Sequence, residues 1–320
     1  TTSFDGAINQ LDKDLERHIK EYLAIRCGMQ EIFSYPWMEE SYVNAILQST
    51  DGILALSTPP SPSERFIRAS LLPNLCRAVA KNERYYGDFA IFETAQVFRD
   101  ENYTAPYDER EKLPSQRKNV AGAFVSAGKD VTGLFRRAKG VVEMMPRYTH
   151  MEPYSFRQVS KPVWADEVVW LNIYLGEEYI GDLALLSKRV SMACGIKNVN
   201  VMLFQLDQDA LIPLRSRTNS FRHLAEYPMT DYDISLLLDG QVKWADVAQT
   251  IGGIKNPLLH GAAFVDEYRG KQVPEGKKSL TARLTIGSAE KTLTSAEIEE
   301  VANSVLKKLA KRFGAELRSR

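Results

Sequence analysis

The alternation of apolar and polar positions changes period repeatedly along the last hundred residues, and each change marks an element. Residues 232–238 (Tyr-Asp-Ile-Ser-Leu-Leu-Leu) are rich in branched side chains and read as a strand. Over residues 242–251, Val242, Val247 and Ile251 recur at helical spacing. Residues 258–268 and 278–286 predict two further strands, parted by a turn that holds Gly270, Pro274 and Gly276. A helix follows over 295–312, with Ile298, Val301, Val305 and Leu309 on one stripe and Gly314 as its stop. Ala315 to Arg318 close the set as a short strand.

This β-α-β-β-α-β order is the split βαβ, or ferredoxin-like, arrangement: an open antiparallel sheet with both helices on one face. The face left uncovered is the one that can hold a flat base. Upstream, the periods alternate more irregularly. Leu15, Ile19, Leu23 and Ala24 predict an amphipathic helix over 11–27 that ends at Gly28. Glu31–Tyr35 reads as a strand, followed by a helix over 39–49, a short strand at 52–56 and the turn-rich loop Pro59-Pro-Ser-Pro-Ser. A helix is predicted from Arg68-Ala-Ser-Leu-Leu-Pro-Asn-Leu through residue 83, then a strand with a tight turn at Ala90–Phe98. Strands at 120–127 and 168–175 flank a helix at 131–145. Mixed elements in this order suit an α+β domain, an antiparallel sheet flanked by helices. Residues 207–220 have mixed charge, one proline and no sustained period, so they read as the boundary between domains at 1–212 and 221–320.

Length and composition set limits on this picture. A chain of 320 residues with 44% apolar content buries a good core in two domains. It contains no run of about 18 apolar residues, so no transmembrane helix is expected. No basic start or apolar h-region marks a signal peptide. Cys27, Cys76 and Cys194 are few, scattered and without CxxC spacing, as reduced cytoplasmic thiols would be. The histidines His18, His150, His223 and His260 make no ligand spacing with them, and no metal site is proposed. Formal net charge is zero; residues 221–320 hold 15 Lys+Arg against 13 Asp+Glu. Such balance argues against gripping RNA by bulk charge, and leaves room for reading a few unstacked bases.

Particular residues carry a family resemblance. Val265-Asp-Glu-Tyr-Arg-Gly, Glu275-Gly-Lys-Lys-Ser-Leu, the strand holding Arg283 and Leu284, and Thr292-Leu-Thr before an acidic helix resemble one module. It is the ferredoxin-fold anticodon-binding domain of the phenylalanyl-tRNA synthetase beta subunit, and the likeness covers residues 221–320. Gly28-Met-Gln-Glu-Ile-Phe-Ser-Tyr, Arg68–Leu75, Phe92-Glu-Thr-Ala-Gln-Val-Phe and residues 170–183 resemble the class II synthetase-like domain of that subunit. The resemblance implies that Tyr268 stacks on an anticodon base and that Asp266, two residues earlier on the same sheet face, accepts from guanine N1–H and N2–H. It further assigns a hydrogen bond to Ser279, proximity to the backbone phosphates to Lys278 or Lys277, and proximity to the anticodon to Arg318. One departure stands out. Many family members carry Arg-Arg-Asp ahead of the first strand, where this chain has Thr230-Asp-Tyr-Asp, which puts a phosphate contact there in doubt.

An active class II synthetase needs an arginine on the ATP α-phosphate and a Gly-x-Gly-x-x-Arg element near the γ-phosphate. No Gly-x-Gly-x-x-Arg occurs in the chain, and neither Arg68 nor Arg99 sits in the full phosphate-binding pattern. Arg68 reads as the partner of a nearby carboxylate at a strand–helix junction. The expectation is a domain that keeps the synthetase scaffold without catalytic residues, no P-loop or dinucleotide fingerprint offering another site. By resemblance it supports assembly with a catalytic alpha subunit in an α2β2 heterotetramer and binding of tRNA(Phe), with ATP and Mg2+ used by the holoenzyme. Apolar positions such as Ile25, Leu71, Leu72, Leu75 and Val79 are core or interface, and in isolation an exposed interface can drive a homodimer. No editing or oligonucleotide-binding-fold module is recognisable, so a C-terminal portion without editing activity is expected. Two alternatives remain at this stage: a self-sufficient monomeric phenylalanyl-tRNA synthetase, against which the missing element argues, and an interaction module that reuses the fold.

Overall fold

In the computed structural model, which describes residues 10–104, 112–214 and 226–318, the chain divides into two units, Thr1–Asn219 and Ser220–Arg320. The first unit opens with α1 (Leu11–Glu21), whose Leu15 and Ile19 are fully buried. It then runs through β1 (Gln30–Glu31), β2 (Trp37–Met38), α2 (Glu40–Ile46), β3 (Phe66–Ile67) and α3 (Leu72–Asn82). The long strands β4 (Asp88–Thr104) and β5 (Lys112–Ser126) follow, then α4 (Val131–Thr149), β6 (Ser155–Arg157), β7 (Ala165–Leu175) and β8 (Glu178–Leu186). The unit closes with α5 (Lys188–Ala193), β9 (Asn200–Asp207) and α6 (Gln208–Leu211).

Seven strands form one sheet in the order β1-β4-β5-β9-β8-β7-β6, antiparallel throughout except that β1 runs parallel to β4. Both faces are covered. Phe92, Phe124 and Phe204 point to α1 and α4, while their neighbours Ala121, Ala123 and Leu203 pack beneath Leu71, Leu75 and Val79 on the side of α2, α3 and α5. A strand buried on two faces loses its polar alternation, which is why this sheet is hard to delimit from pattern alone.

Several boundaries differ from expectation for local reasons. The amphipathic stretch over 11–27 is not one α-helix: after Glu21 it widens into a π-helical turn, Tyr22–Arg26, before Gly28 at φ +66° redirects the chain. The strand expected at Glu31–Tyr35 stops at Glu31, because Ser34 turns its backbone N–H and hydroxyl to the Glu93 carboxylate (both 2.9 Å). The strand at 52–56 reduces to a single bridge between Ala55 and Phe66. No tight turn interrupts Ala90–Phe98; β4 continues to Thr104 through a bulge between Arg99 and Asn102. The stretch read as linker from residue 207 begins with helix: the Asp207 carboxylate caps α6 by accepting from the Ala210 N–H at 3.1 Å, and Leu211 is fully buried. The remainder of that stretch, 215–220, lies outside the described residues.

The second unit contains β10 (Thr230–Asp239), α7 (Trp244–Gly252), β11 (Leu259–Tyr268), β12 (Lys277–Ile286), α8 (Ser295–Phe313) and β13 (Glu316–Leu317). Its antiparallel sheet has the order β11-β12-β10-β13, the βαββαβ arrangement that the sequence periods predict. Ile234, Leu236 and Leu238 of β10 and Leu280, Ala282, Leu284 and Ile286 of β12 face Val247 and Ile251 of α7 and Val301, Val305 and Leu309 of α8. A reciprocal cap starts α8: Thr294 Oγ1 accepts from the Glu297 N–H, and the Glu297 carboxylate accepts from the Thr294 N–H at 2.9 Å. Gly314, left-handed at φ +62°, ends it. Among the described residues of both units, no helix is long and apolar enough to cross a membrane.

Candidate nucleic-acid interface

With both helices of the second unit on one face, the alternate positions of its strands stand uncovered. On β10 these are Asp233, Ser235 and Leu237, and on β12 Ser279, Thr281 and Arg283. The edge strand β11 joins them through a bulge between Phe264 and Asp266. Phe264 therefore faces the helices, its ring 5.8 Å from that of Trp244, whereas Asp266 stands opposite Thr281 and Tyr268 opposite Ser279 on the open face. In a regular strand Phe264 and Asp266 would share the helix-covered face. The bulge at Val265 is what turns Asp266 and Tyr268, two residues apart, to the open face.

The Asp266 carboxylate is exposed and makes no hydrogen bond or ion pair among the described residues, so its oxygens are available as acceptors. Tyr268 is 41% exposed. Its ring lies 5.5 Å below the Arg318 guanidinium, and its hydroxyl end folds back over Gly270, where an added Cβ would come within 2.4 Å of the oxygen. Arg318 is fixed at both ends: its N–H donates to the Ser235 carbonyl at 2.9 Å, and its Nη2 donates to Gln272 Oε1 at 3.1 Å. Ser279 sits between Tyr268 and Leu237 in register and is only 4% exposed. Further along the face, the hydroxyls of Ser235 and Thr281 lie 3.0 Å apart, and Arg283 makes a bidentate pair with Asp233 at 2.7 and 2.9 Å.

Lys278 is a correction. It has the parity of Leu280 and points to the helix side, 4% exposed, with Nζ 2.7 Å from Glu267 Oε2. Burial opposes ionisation of Glu267, but Lys278 and Arg269 hold its carboxylate below the ordinary value. Arg269 also donates to the Gly240 carbonyl at 2.9 Å, so this chain of contacts ties the β11–β12 hairpin to the end of β10. Lys277 faces the open side but pairs with Glu316 at 3.3 Å. The open face thus brings Asp266, Tyr268, Ser279 and Arg318 together and leaves Lys278 out.

Sequence reasoning missed Gly270, Gln272 and the Asp233–Arg283 pair. The pair was open to discovery, since opposite charges at matching positions of two adjacent strands attract. Nothing in the sequence announces that the Tyr268 ring lies back on Gly270. In the first unit Arg68 is 9% exposed and fully engaged: Nη1 lies 3.2 Å from Glu93 Oε1, and Nε donates to the Gln96 carbonyl at 2.6 Å. Burial lowers its pKa, with Glu93 opposing, and the Nε and Nη1 donors are taken up by protein acceptors.

Comparison with known proteins matches the two regions separately. Residues 225–318 match the family described as ferredoxin-fold anticodon binding domain. Two solved pyrrolysyl-tRNA synthetase structures from Desulfitobacterium hafniense share the fold of the chain at TM-score 0.51 and 14% identity. One covers 63% of this chain and 68% of its own, the other 67% and 74%. A class II aminoacyl-tRNA synthetase fold joined to an anticodon-binding module is the class these features define. Residues 3–208 match the phenylalanyl tRNA synthetase beta chain CLM domain, and the chain belongs to the phenylalanyl-tRNA synthetase beta chain family. Among its relatives, the phenylalanine–tRNA ligase beta subunit of Oceanobacillus iheyensis is 27% identical over 95% of this chain and 38% of that subunit. That of Carboxydothermus hydrogenoformans is 28% identical over 100% of this chain and 40% of that subunit. The chain therefore spans about two fifths of the length of the curated relatives it matches.

Proposed function

We propose that this chain is the part of a phenylalanine–tRNA ligase beta subunit that reads the anticodon of tRNA(Phe) and docks on the catalytic alpha subunit, without catalysing aminoacylation itself. The observation that carries the reading is the pair Asp266 and Tyr268 on the uncovered sheet face, an acceptor beside a ring. Unpaired bases are bound by stacking on aromatic rings and by hydrogen bonds to their edges. Tyr268 supplies the ring and Asp266 accepts from a guanine edge. Ser279 offers a hydroxyl between the strands, and Arg318 sets the positive charge over the ring.

In the ligase the alpha subunit uses ATP and Mg2+, the assembly is an α2β2 heterotetramer, and the site of action is the cytoplasm. Support for a partner comes from the segment after β1, where Phe33 is 80% and Tyr35 71% exposed and the Tyr35 ring stacks on Trp37 at 4.6 Å. Large apolar side chains left at a surface suit an interaction site, and obligate interfaces bury about 2,000 Å² or more. Without its partner the chain pairs with itself through the same surface. The test is a titration of the chain with a GAA-bearing anticodon stem-loop and with a scrambled loop on the same stem. Preference for the GAA loop is expected; equal affinity for both would remove anticodon reading from this face.

A further inference from the structure

The loop between β11 and β12 is built of two closed turns. In the first the Val273 N–H donates to the Gly270 carbonyl at 2.9 Å, and in the second the Lys277 N–H donates to the Pro274 carbonyl at 3.0 Å. The loop is tied to the end of β10 from both sides. The Gly240 N–H donates to the Gly276 carbonyl at 2.8 Å, and Arg269 donates to the Gly240 carbonyl at 2.9 Å. A segment anchored in this way can fix a side chain at the edge of the open face.

Two of its residues act on Tyr268. Gly270 lies under the far end of the ring: an added Cβ would stand 2.4 Å from the hydroxyl oxygen and 2.6 Å from Cζ. Its backbone is not in the left-handed region, so glycine is there for space and not for conformation. Gln272 stands third in the first turn, and its Oε1 accepts from Arg318 Nη2 at 3.1 Å. The Arg318 N–H is bound to the Ser235 carbonyl, so backbone and guanidinium are both fixed, with Cζ 5.5 Å from the centre of the Tyr268 ring. Arg318 makes no ion pair among the described residues.

A carboxylate at position 272 would hold Arg318 more tightly and cancel its charge. The glutamine amide orients the guanidinium and leaves its charge facing the ring. Gln272 is exposed, and water replaces a hydrogen bond lost there, so the contact contributes little to folding. Its consequence is geometric. An aromatic ring has two sides, and a base slipped between ring and guanidinium would need about 7 Å, two van der Waals contacts. Arg318 is too close for that, and it leaves the other side of the ring for stacking.

We infer that the Gly270–Val273 turn is the positioning device of the open face: Gln272 holds Arg318 against one side of the Tyr268 ring, Gly270 leaves the place that the ring tip occupies, and an unpaired base stacks on the opposite side. Gln272 and Gly270 are positioning residues and touch no RNA themselves. This role rests on the anticodon reading proposed above, and adds which side of the ring a base uses and what fixes it.

A double-mutant cycle between protein and RNA tests the assignment. The 320-residue chain is titrated with the GAA stem-loop and with the same stem-loop carrying an abasic unit in place of the guanine. Gln272→Met keeps the length of the side chain and removes the acceptor. It should weaken the intact loop roughly three- to tenfold, part of the loss for a stacked base, and leave the abasic loop unchanged. Gly270→Ala displaces the ring without nearing the RNA, and should show the same pattern with a loss at least as large. Gln272→Glu retains an acceptor for Arg318 and adds a negative charge, so it should weaken both loops by one common factor. All three substitutions lie in a surface turn, and the thermal transition of each variant should match the parent. A parent that binds the GAA and scrambled loops alike would sink the reading of the face and this role with it. A parent that prefers the GAA loop, while Gln272→Met and Gly270→Ala weaken neither loop or both loops equally, would overturn the positioning role alone.

Discussion

The two sheets of this chain solve opposite problems. The seven-stranded sheet is covered on both faces, so any polar group inside it must be satisfied by other protein groups or by a ligand. The four-stranded sheet is covered on one face only, and its open side presents Asp266, Tyr268, Arg283 and Arg318 to solvent without any burial penalty. The larger sheet has its buried arginine, Arg68, locked against Glu93, while the smaller sheet keeps a free acceptor and a ring. The proposed recognition surface lies on the sheet with fewer strands, because that sheet has a face left over.

The sharpest way to break this contrast is to crowd the closed sheet. Gly181→Ala places a Cβ 2.0 Å from the Gln205 carbonyl oxygen at a φ of +155°, so both sterics and backbone oppose it. The expected loss in the first unit is on the order of 4 kcal/mol, read as earlier exchange of the Leu183 and Phe204 amides. Amides of β12 should exchange as before. Glu93→Gln comes next. It strands Arg68, 9% exposed, without its counter-charge, and breaking such a buried pair costs about 3 kcal/mol. Asp233→Asn breaks a shorter, bidentate pair on the open face, yet should leave the thermal transition of the second unit unchanged, because solvent replaces the lost partner. Equal losses for the two substitutions would mean the open face is not open.

Much of the second sheet was legible because one covered face restores the period of two. Ile234, Leu236 and Leu238 alternate cleanly, Gly314 stops α8 as expected, and Asp266 and Tyr268 fall on one side. Lys278 was misplaced by chemistry overriding parity. It alternates with Ser279 and belongs with Leu280, and its long stem carries the ammonium to Glu267. The first sheet was legible as a fold class but not in its limits. The run Val120-Ala-Gly-Ala-Phe-Val is buried on both sides, so no alternation marks where it starts or ends. The partner of Arg68 lies 25 residues away, and the two meet because the backbone of Arg68 docks on β4, its carbonyl accepting from the Phe98 N–H at 2.9 Å.

On the open face the contrast sharpens into a binding measurement. Tyr268→Ala should weaken the GAA stem-loop by roughly 1–3 kcal/mol, the range for a stacked base. Lys278→Met should leave the salt dependence of that binding unchanged, since a lysine buried against Glu267 releases no counterion from RNA. A salt slope reduced by about one unit would return Lys278 to the phosphate backbone and reverse the correction made from its parity.

The smallest effect separates the sheets by the sign of a pH response. Glu297, at the start of α8 and partly exposed, is pulled down to about 2 by Lys291 and by the Thr294 N–H and hydroxyl. Its folded carboxylate stays charged after the unfolded one has protonated. Its contribution is therefore complete above the ordinary value of 4.5 and disappears as pH falls through about 2. Asp182 is shifted the other way: burial raises its pKa above 3.8, and the folded state holds that proton more tightly than the unfolded chain does. Its ionised form is a penalty above the folded pKa, relieved as pH falls through that value towards 3.8. Acidification from pH 7 should thus close the stability gap between parent and Glu297→Gln in the second unit. In the first unit it should narrow whatever advantage Asp182→Asn shows at neutral pH, because the protonated acid and the amide are then equivalent in charge. Amide exchange followed across α8 and β8 reads both in one experiment. A gap at Glu297 that persists at pH 2 would place its partner contacts outside the cap, and an advantage of Asp182→Asn that grows on acidification would mean that the fold lowers the Asp182 pKa instead of raising it.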